Sequence, residues 1–156
     1  MSESSSVAEC AAGELQEDVF ERGAGRGQAA HGDAAPGQGR DSGMAWAEGS
    51  LWVGQYRDRK ILQIDPKTGA VLRTIESKRF VTGVTWVDGE LWHGTWEGER
   101  SGLLRLDPAS GDVLERLDMP AHTGVSGLES DGRDLFYCGG GPSGKVRAVR
   151  RPRRPA

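Results

Sequence analysis

The chain has 156 residues, 36% of them hydrophobic, and 20 Lys and Arg against 23 Asp and Glu leave a formal net charge of −3. That balance gives no global attraction to nucleic acid or to an anionic membrane surface, and no apolar run reaches the roughly 18 residues a spanning helix needs. Two cysteines, Cys10 and Cys138, do not make a disulfide framework, and the histidines His31, His93 and His122 stand in no metal-ligand spacing, so neither metal nor cofactor is expected.

Residues 1–41 read as a disordered or weakly helical arm. SSSVAECAAGELQEDVFERG predicts a short amphipathic helix, capped by one of the serines at 4–6, with Val7, Cys10, Leu15 and Val19 as a loose apolar stripe that Gly13 weakens. GAGRGQAAHGDAAPGQGRD has nothing periodic to bury and predicts disorder. MSESSSVAEC lacks the basic and apolar regions of a secretory signal, so a cytoplasmic location is expected.

From Ser42 the sequence repeats itself. Gly43, Trp46, Gly49, Leu51, Trp52 and Gly54 recur 40 positions on, at Gly83, Trp86, Gly89, Leu91, Trp92 and Gly94. Asp65-Pro66, Gly69 and Val71-Leu72 recur 42 positions on, at Asp107-Pro108, Gly111 and Val113-Leu114, so the second copy carries a two-residue insertion. A third, incomplete copy starts at Ser126, with Gly127 and Leu135 lying 44 positions beyond Gly83 and Leu91. A period near 40 built of short strands is the mark of β-propeller blades. The expected fold is therefore all-β: a partial β-propeller of about 2.75 four-stranded blades at 42–77, 82–119 and 126–150, then a basic tail at 151–156. The abrupt start of the repeats favours a truncated or frame-altered piece of a longer gene over a natural small subunit.

Alternation and turn residues place the strands at 44–47, 51–55, 60–64 and 71–75; at 84–87, 91–95, 103–106 and 113–117; and at 128–130, 135–138 and 145–149. Glu48-Gly49 and Asp88-Gly89 predict tight hairpin turns. The two Asp-Pro-x-Ser/Thr-Gly segments predict type I turns ended by a left-handed glycine. Residues 57–59 and 97–102 are expected as loops. Trp46, Trp86, Trp52 and Trp92 are expected to be buried between blades, where each could remove about 150–250 Å² from water.

GGGPSGK at 139–145 imitates a phosphate loop, but Val146 stands where a Ser or Thr should follow the lysine, and KVRAV alternates like a strand. It reads as a turn. The arginines of the tail, Arg147 to Arg154, read as a solvated terminus. Candidate ligand-binding positions cluster at the channel mouth. Ser42, Thr82 and Ser126 precede the repeated glycines, and Tyr56, His93, Trp96 and Glu97 fall near the ends of second strands. The alternative reading of the three hydroxyls is that they satisfy backbone groups at strand starts.

IDPKTGAVL and LDPASGDVL resemble the repeat unit of quinoprotein-like propellers, and RFVTGVTWVDGELWHGTWEGE is similar to a blade of glutamine cyclotransferases. The second resemblance covers roughly 42–150. It implies an acyl-transfer activity that cyclises N-terminal glutamine, with the segment at 82–85 on the active-site rim and an acidic proton-transfer residue just before Gly83. Val81 and Thr82 occupy that place, and a threonine hydroxyl does not act as a general acid or base near neutral pH. The first reading of function is thus a non-catalytic binding or scaffold module for a small molecule or peptide. A glutamine cyclotransferase-like enzyme and an inactive truncated product are the alternatives. Uncovered blade faces further predict that a second copy completes the propeller, as a homo-oligomer of about six blades, or that the protein is poorly soluble.

Overall fold

The computed structural model describes residues 41–140 and 143–155. The expected N-terminal helix and disordered arm fall outside the described residues, except Asp41, which opens the first strand. Three antiparallel sheets follow one another along the chain. The first holds β1 (Asp41–Ala47), β2 (Ser50–Gln55), β3 (Lys60–Ile64) and β4 (Val71–Glu76). The second holds β5 (Val81–Val87), β6 (Glu90–Glu97), β7 (Arg100–Leu106) and β8 (Val113–Asp118), and the third β9 (Gly127–Ser130), β10 (Leu135–Gly140) and β11 (Lys145–Arg150). Each sheet is a meander in which neighbours in sequence are neighbours in space, and the third ends after three strands.

Turn chemistry accounts for the meander. Glu48 and Gly49, with φ of 52° and 72°, and Asp88 and Gly89, with 50° and 75°, make the two-residue hairpins whose twist suits paired strands. In the turn after β3 the Asp65 carboxylate accepts from the Lys67 amide at 2.8 Å, and Gly69, at φ 70°, donates its amide to the Asp65 carbonyl. Asp107 repeats this after β7, accepting from the Ala109 and Ser110 amides. These amides hold the Asp65 and Asp107 carboxyls below the usual aspartate range.

Two hairpins depart from the sequence expectation. The stretch 97–102 is not a loop: β6 runs on to Glu97, pairs it with Arg100, and turns through Gly98 and Glu99 alone. The inserted residues thus extend a ladder, because each added pair satisfies two more backbone groups. In the third sheet, Ser130 faces Phe136, whereas Trp86 faces Leu91 in the second. One additional residue in the turn shifts β10, so Phe136 takes the place of Leu91, Tyr137 that of Trp92 and Trp52, and Cys138 that of His93 and Val53. Asp131 holds the longer turn by accepting from the Arg133 and Leu135 amides.

The sheets stack face to face, and the core lies between them. Trp52, Ile61 and Ile75 of the first sheet bury against Val81, Val84, Leu91, Leu104 and Leu106 of the second. Trp92 and Leu103 of the second bury against Val125, Leu128, Phe136 and Cys138 around the third. Trp52 stacks on Trp86 with ring centroids 5.5 Å apart, and Trp92 tilts against Phe136 at 4.9 Å. Trp46 corrects the expectation of four buried indoles: it is 63% exposed. Its equivalent, Trp86, is itself only half-buried, packed against the sheet before it, and among the described residues no sheet precedes the first.

The innermost strands approach closely because they carry glycine. A Cβ on Gly43 would lie 2.9 Å from Gly83 Cα, and one on Gly83 would lie 2.6 Å from the Leu128 nitrogen. Gly140 pairs with Lys145 at the start of β11, so the lysine of the phosphate-loop imitation begins a strand and not a helix. The tail also departs from expectation. Arg151 is buried, donates to Asp88 at 2.6 Å and to Glu90 at 3.3 Å, and Arg154 binds Glu90 at 2.7 Å. Both arginines therefore tie the chain after β11 back to the second sheet.

Candidate functional site

Antiparallel pairing brings the start of each first strand beside the end of each second strand, so one end of the stack collects most of the expected site residues. Ser42 and Thr82 are the additional residues of matching β-bulges that open β1 and β5. Ser42 donates to the Val81 carbonyl at 2.6 Å and so joins the first sheet to the second. Thr82 is buried, and its Oγ1 has no hydrogen-bond partner among the described residues. Ser126, at the same position of the third copy, is exposed and pairs its amide with the Gly139 carbonyl at 2.8 Å.

Tyr56 and Glu97 belong to a cluster at this rim. The Tyr56 ring stacks on Phe80 with centroids 4.7 Å apart. Arg59 lies 4.4 Å over the same Phe80 ring and reaches Glu97 at 2.7 Å. Both members of that ion pair are about 40% exposed (40% and 38%), so it orients the rim more than it stabilises it. Trp96 is half-buried: its Nε1 donates to the Gly98 carbonyl at 2.9 Å and its ring covers Gly124.

His93 does not reach the rim. It is wholly buried, on the face of β6 turned toward the first sheet, with Nδ1 3.0 Å from the Gly94 carbonyl. Burial pushes its pKa down to about 4, against a smaller upward pull from that carbonyl. At pH 7 it is therefore neutral and out of contact with solvent, and it supplies no base to a ligand at the channel mouth. Cys138 is buried, and burial raises its thiol pKa.

At the same end of the second sheet, around the β6–β7 hairpin and the end of β8, lies a cleft of about 390 Å³ that the sequence reading did not foresee. Arg79, from the β4–β5 connection, Glu99 and Arg100, from the β6–β7 hairpin, and Arg116 and Asp118, at the end of β8, line it with Ser101, Met119 and Ala121. The Arg116 guanidinium lies 3.9 Å from Asp118, and Glu99 lies 3.8 Å from His122. Among the described residues the guanidinium groups of Arg79 and Arg100 have no carboxylate partner. Charged residues at strand ends read as ordinary solvated surface, which is why their convergence was not visible in one dimension. Among the described residues no group of three or more His, Cys, Asp and Glu is placed to hold a metal ion, and no helix is long and apolar enough to cross a membrane.

No family model matches the chain, and no curated protein matches it. Solved structures do. Glutaminyl cyclase from Myxococcus xanthus superposes with a TM-score of 0.58 at 13% identity, over 70% of this chain and 47% of that one. U3-55K gives 0.53 at 21% identity, over 70% and 34%, and a protein of unknown function from Bacteroides caccae 0.51 at 15%, over 70% and 42%. The three stacked meanders are propeller blades. The propeller is partial: the chain spans less than half the length of these structures, and at such identities the likeness is one of fold.

Proposed function

We propose that this chain is a non-catalytic, propeller-type binding module that takes a small molecule or peptide bearing a carboxylate in the rim cleft. The observation that carries the reading is the cleft itself, where Arg79 and Arg100 present guanidinium groups without carboxylate partners among the described residues. A planar guanidinium matches a carboxylate in a two-point hydrogen bond. The half-buried Trp96 and the Tyr56–Phe80 stack give the rim apolar area beside those charges. The non-catalytic reading is supported by His93, which is buried away from the rim, and by Val81-Thr82, which stand where the cyclotransferase resemblance places an acid.

Calorimetric titration with tetraglutamate and with tetraglutamine tests this. Tetraglutamate should bind, weaken with added salt, and lose its heat of binding in the Arg79→Ala/Arg100→Ala variant, while tetraglutamine should not bind. Equal binding of the two peptides, or none of either, would overturn the reading. Ammonia release from a peptide with N-terminal glutamine, abolished by Glu97→Gln, would replace it with the enzyme reading.

A further inference from the structure

We propose that Arg59, which does not line the cleft, is the positioning residue that holds Arg79 in place for the ligand carboxylate; this rests on the binding reading above. Arg79 sits in the short connection 77–80 between β4 and β5, with Lys78 before it and Phe80 after it. Arg59 holds both neighbours. Its Nη1 donates to the Lys78 carbonyl at 3.0 Å, and its guanidinium lies 4.4 Å over the Phe80 ring. Its Nη2 reaches Glu97 at 2.7 Å, which orients the guanidinium from a third direction. The Arg59 carbonyl accepts from the Ser77 amide at 2.7 Å, and the Ser77 hydroxyl accepts from the Arg79 amide at 3.2 Å. The connection is thus tied at each of its four residues, and the Arg79 side chain extends from it into the cleft.

The backbone of Arg59 makes the choice of residue informative. It stands at φ 54°, a left-handed conformation in which any residue but glycine is strained. Glycine would relieve the turn but would make none of the three side-chain contacts. Lysine would keep the charge facing Glu97, yet it has no planar group that stacks on a ring while donating to two acceptors in fixed directions.

The second sheet uses the same position in the same way. Gly54 faces Ile61 and its equivalent Gly94 faces Leu103, so by register Arg59 corresponds to Ser101. The Ser101 carbonyl accepts from the Met119 amide at 3.0 Å, as that of Arg59 accepts from Ser77, and the Ser101 hydroxyl donates to the Thr123 carbonyl. Both connections tied in this manner, 77–80 and 119–126, wall the cleft, the first through Arg79 and the second through Met119 and Ala121. The Arg59 guanidinium is itself engaged by Lys78, Phe80 and Glu97, so its effect on a ligand runs through Arg79. An arginine whose backbone is held beforehand loses less freedom when it closes on a carboxylate.

Calorimetric titration of the full chain with tetraglutamate tests the proposal in two variants. Arg59→Lys keeps the charge, and Arg59→Gly suits the turn, so the fold is expected to survive in both. Each should weaken tetraglutamate about 3- to 10-fold, the effect of leaving one long side chain to be ordered on binding. In the Arg79→Ala background, where Arg100 still offers a guanidinium, neither should weaken it further. Hydrogen exchange of the Arg79 amide reads the tie without any ligand and should quicken in both variants. Wild-type affinity in Arg59→Lys, the same loss with and without Arg79, or unchanged exchange would each overturn the positioning role and leave the carboxylate reading standing. A wild type that binds no tetraglutamate would overturn both.

Discussion

Replacing His93 with valine, the residue that the first repeat has at this place in Val53, turns a buried base into a measurable pH effect. The wholly buried imidazole has a pKa of about 4 in the folded chain against an ordinary 6.5. Its folded value is depressed because burial disfavours the charged form. The unfolded chain therefore takes up its proton first as pH falls. Stability from this group is full above about pH 6.5, declines through the interval below it, and is gone by about pH 4. The 2.5-unit gap corresponds to about 3 kcal/mol in all, of which about 2 kcal/mol is lost by pH 5. Asp65, Asp107 and Asp131, whose carboxyls are also depressed, lose their contributions only below the ordinary aspartate range, so they fall outside this window. Urea unfolding of wild type and His93→Val at intervals from pH 7.5 to 4.5 separates the terms. At pH 7 the two should agree within about 1 kcal/mol, since the variant trades one hydrogen bond and some packing for an unpartnered ring nitrogen. The difference should then tilt toward the variant as pH drops. A difference that stays flat from pH 7 to 4.5 would mean His93 titrates normally, and would refute its burial between the first two sheets.

Gly83→Ala should destabilise the fold by about 1–3 kcal/mol, because its Cβ would meet the Leu128 nitrogen at 2.6 Å and the Gly127 backbone near 3 Å; thermal melts read this directly. The substitution acts on backbone against backbone, so no side chain can move aside. Arg151→Ala should cost about 2 kcal/mol in urea unfolding, since it strips Glu90 of a largely buried ion pair while leaving it Arg105 and Arg154. An unchanged midpoint would show that the chain after β11 does not anchor to the second sheet.

The repeat made most of the architecture legible before any coordinates. Hairpin turns and the alternation along the strands are local consequences of residue type, and local chemistry recurs wherever the sequence recurs. The site was less legible. Ser42, Tyr56, Thr82, Trp96 and Glu97 do lie toward one end of the stack, because antiparallel pairing alone puts strand starts beside strand ends. His93 was misplaced toward the rim because alternation tells which face a residue takes, not how deep the neighbouring sheet covers it.

The order of strands, the turns that join them and the identity of the packing faces were set by the sequence itself, through backbone constraints that act over a few residues. Tertiary structure alone decided three things: the exposure of Trp46, the anchoring of Arg151, and the meeting of Arg79, Arg100 and Arg116 around one cleft. Each depends on what stands opposite a residue across a gap between sheets, and that neighbour is dozens of positions away along the chain.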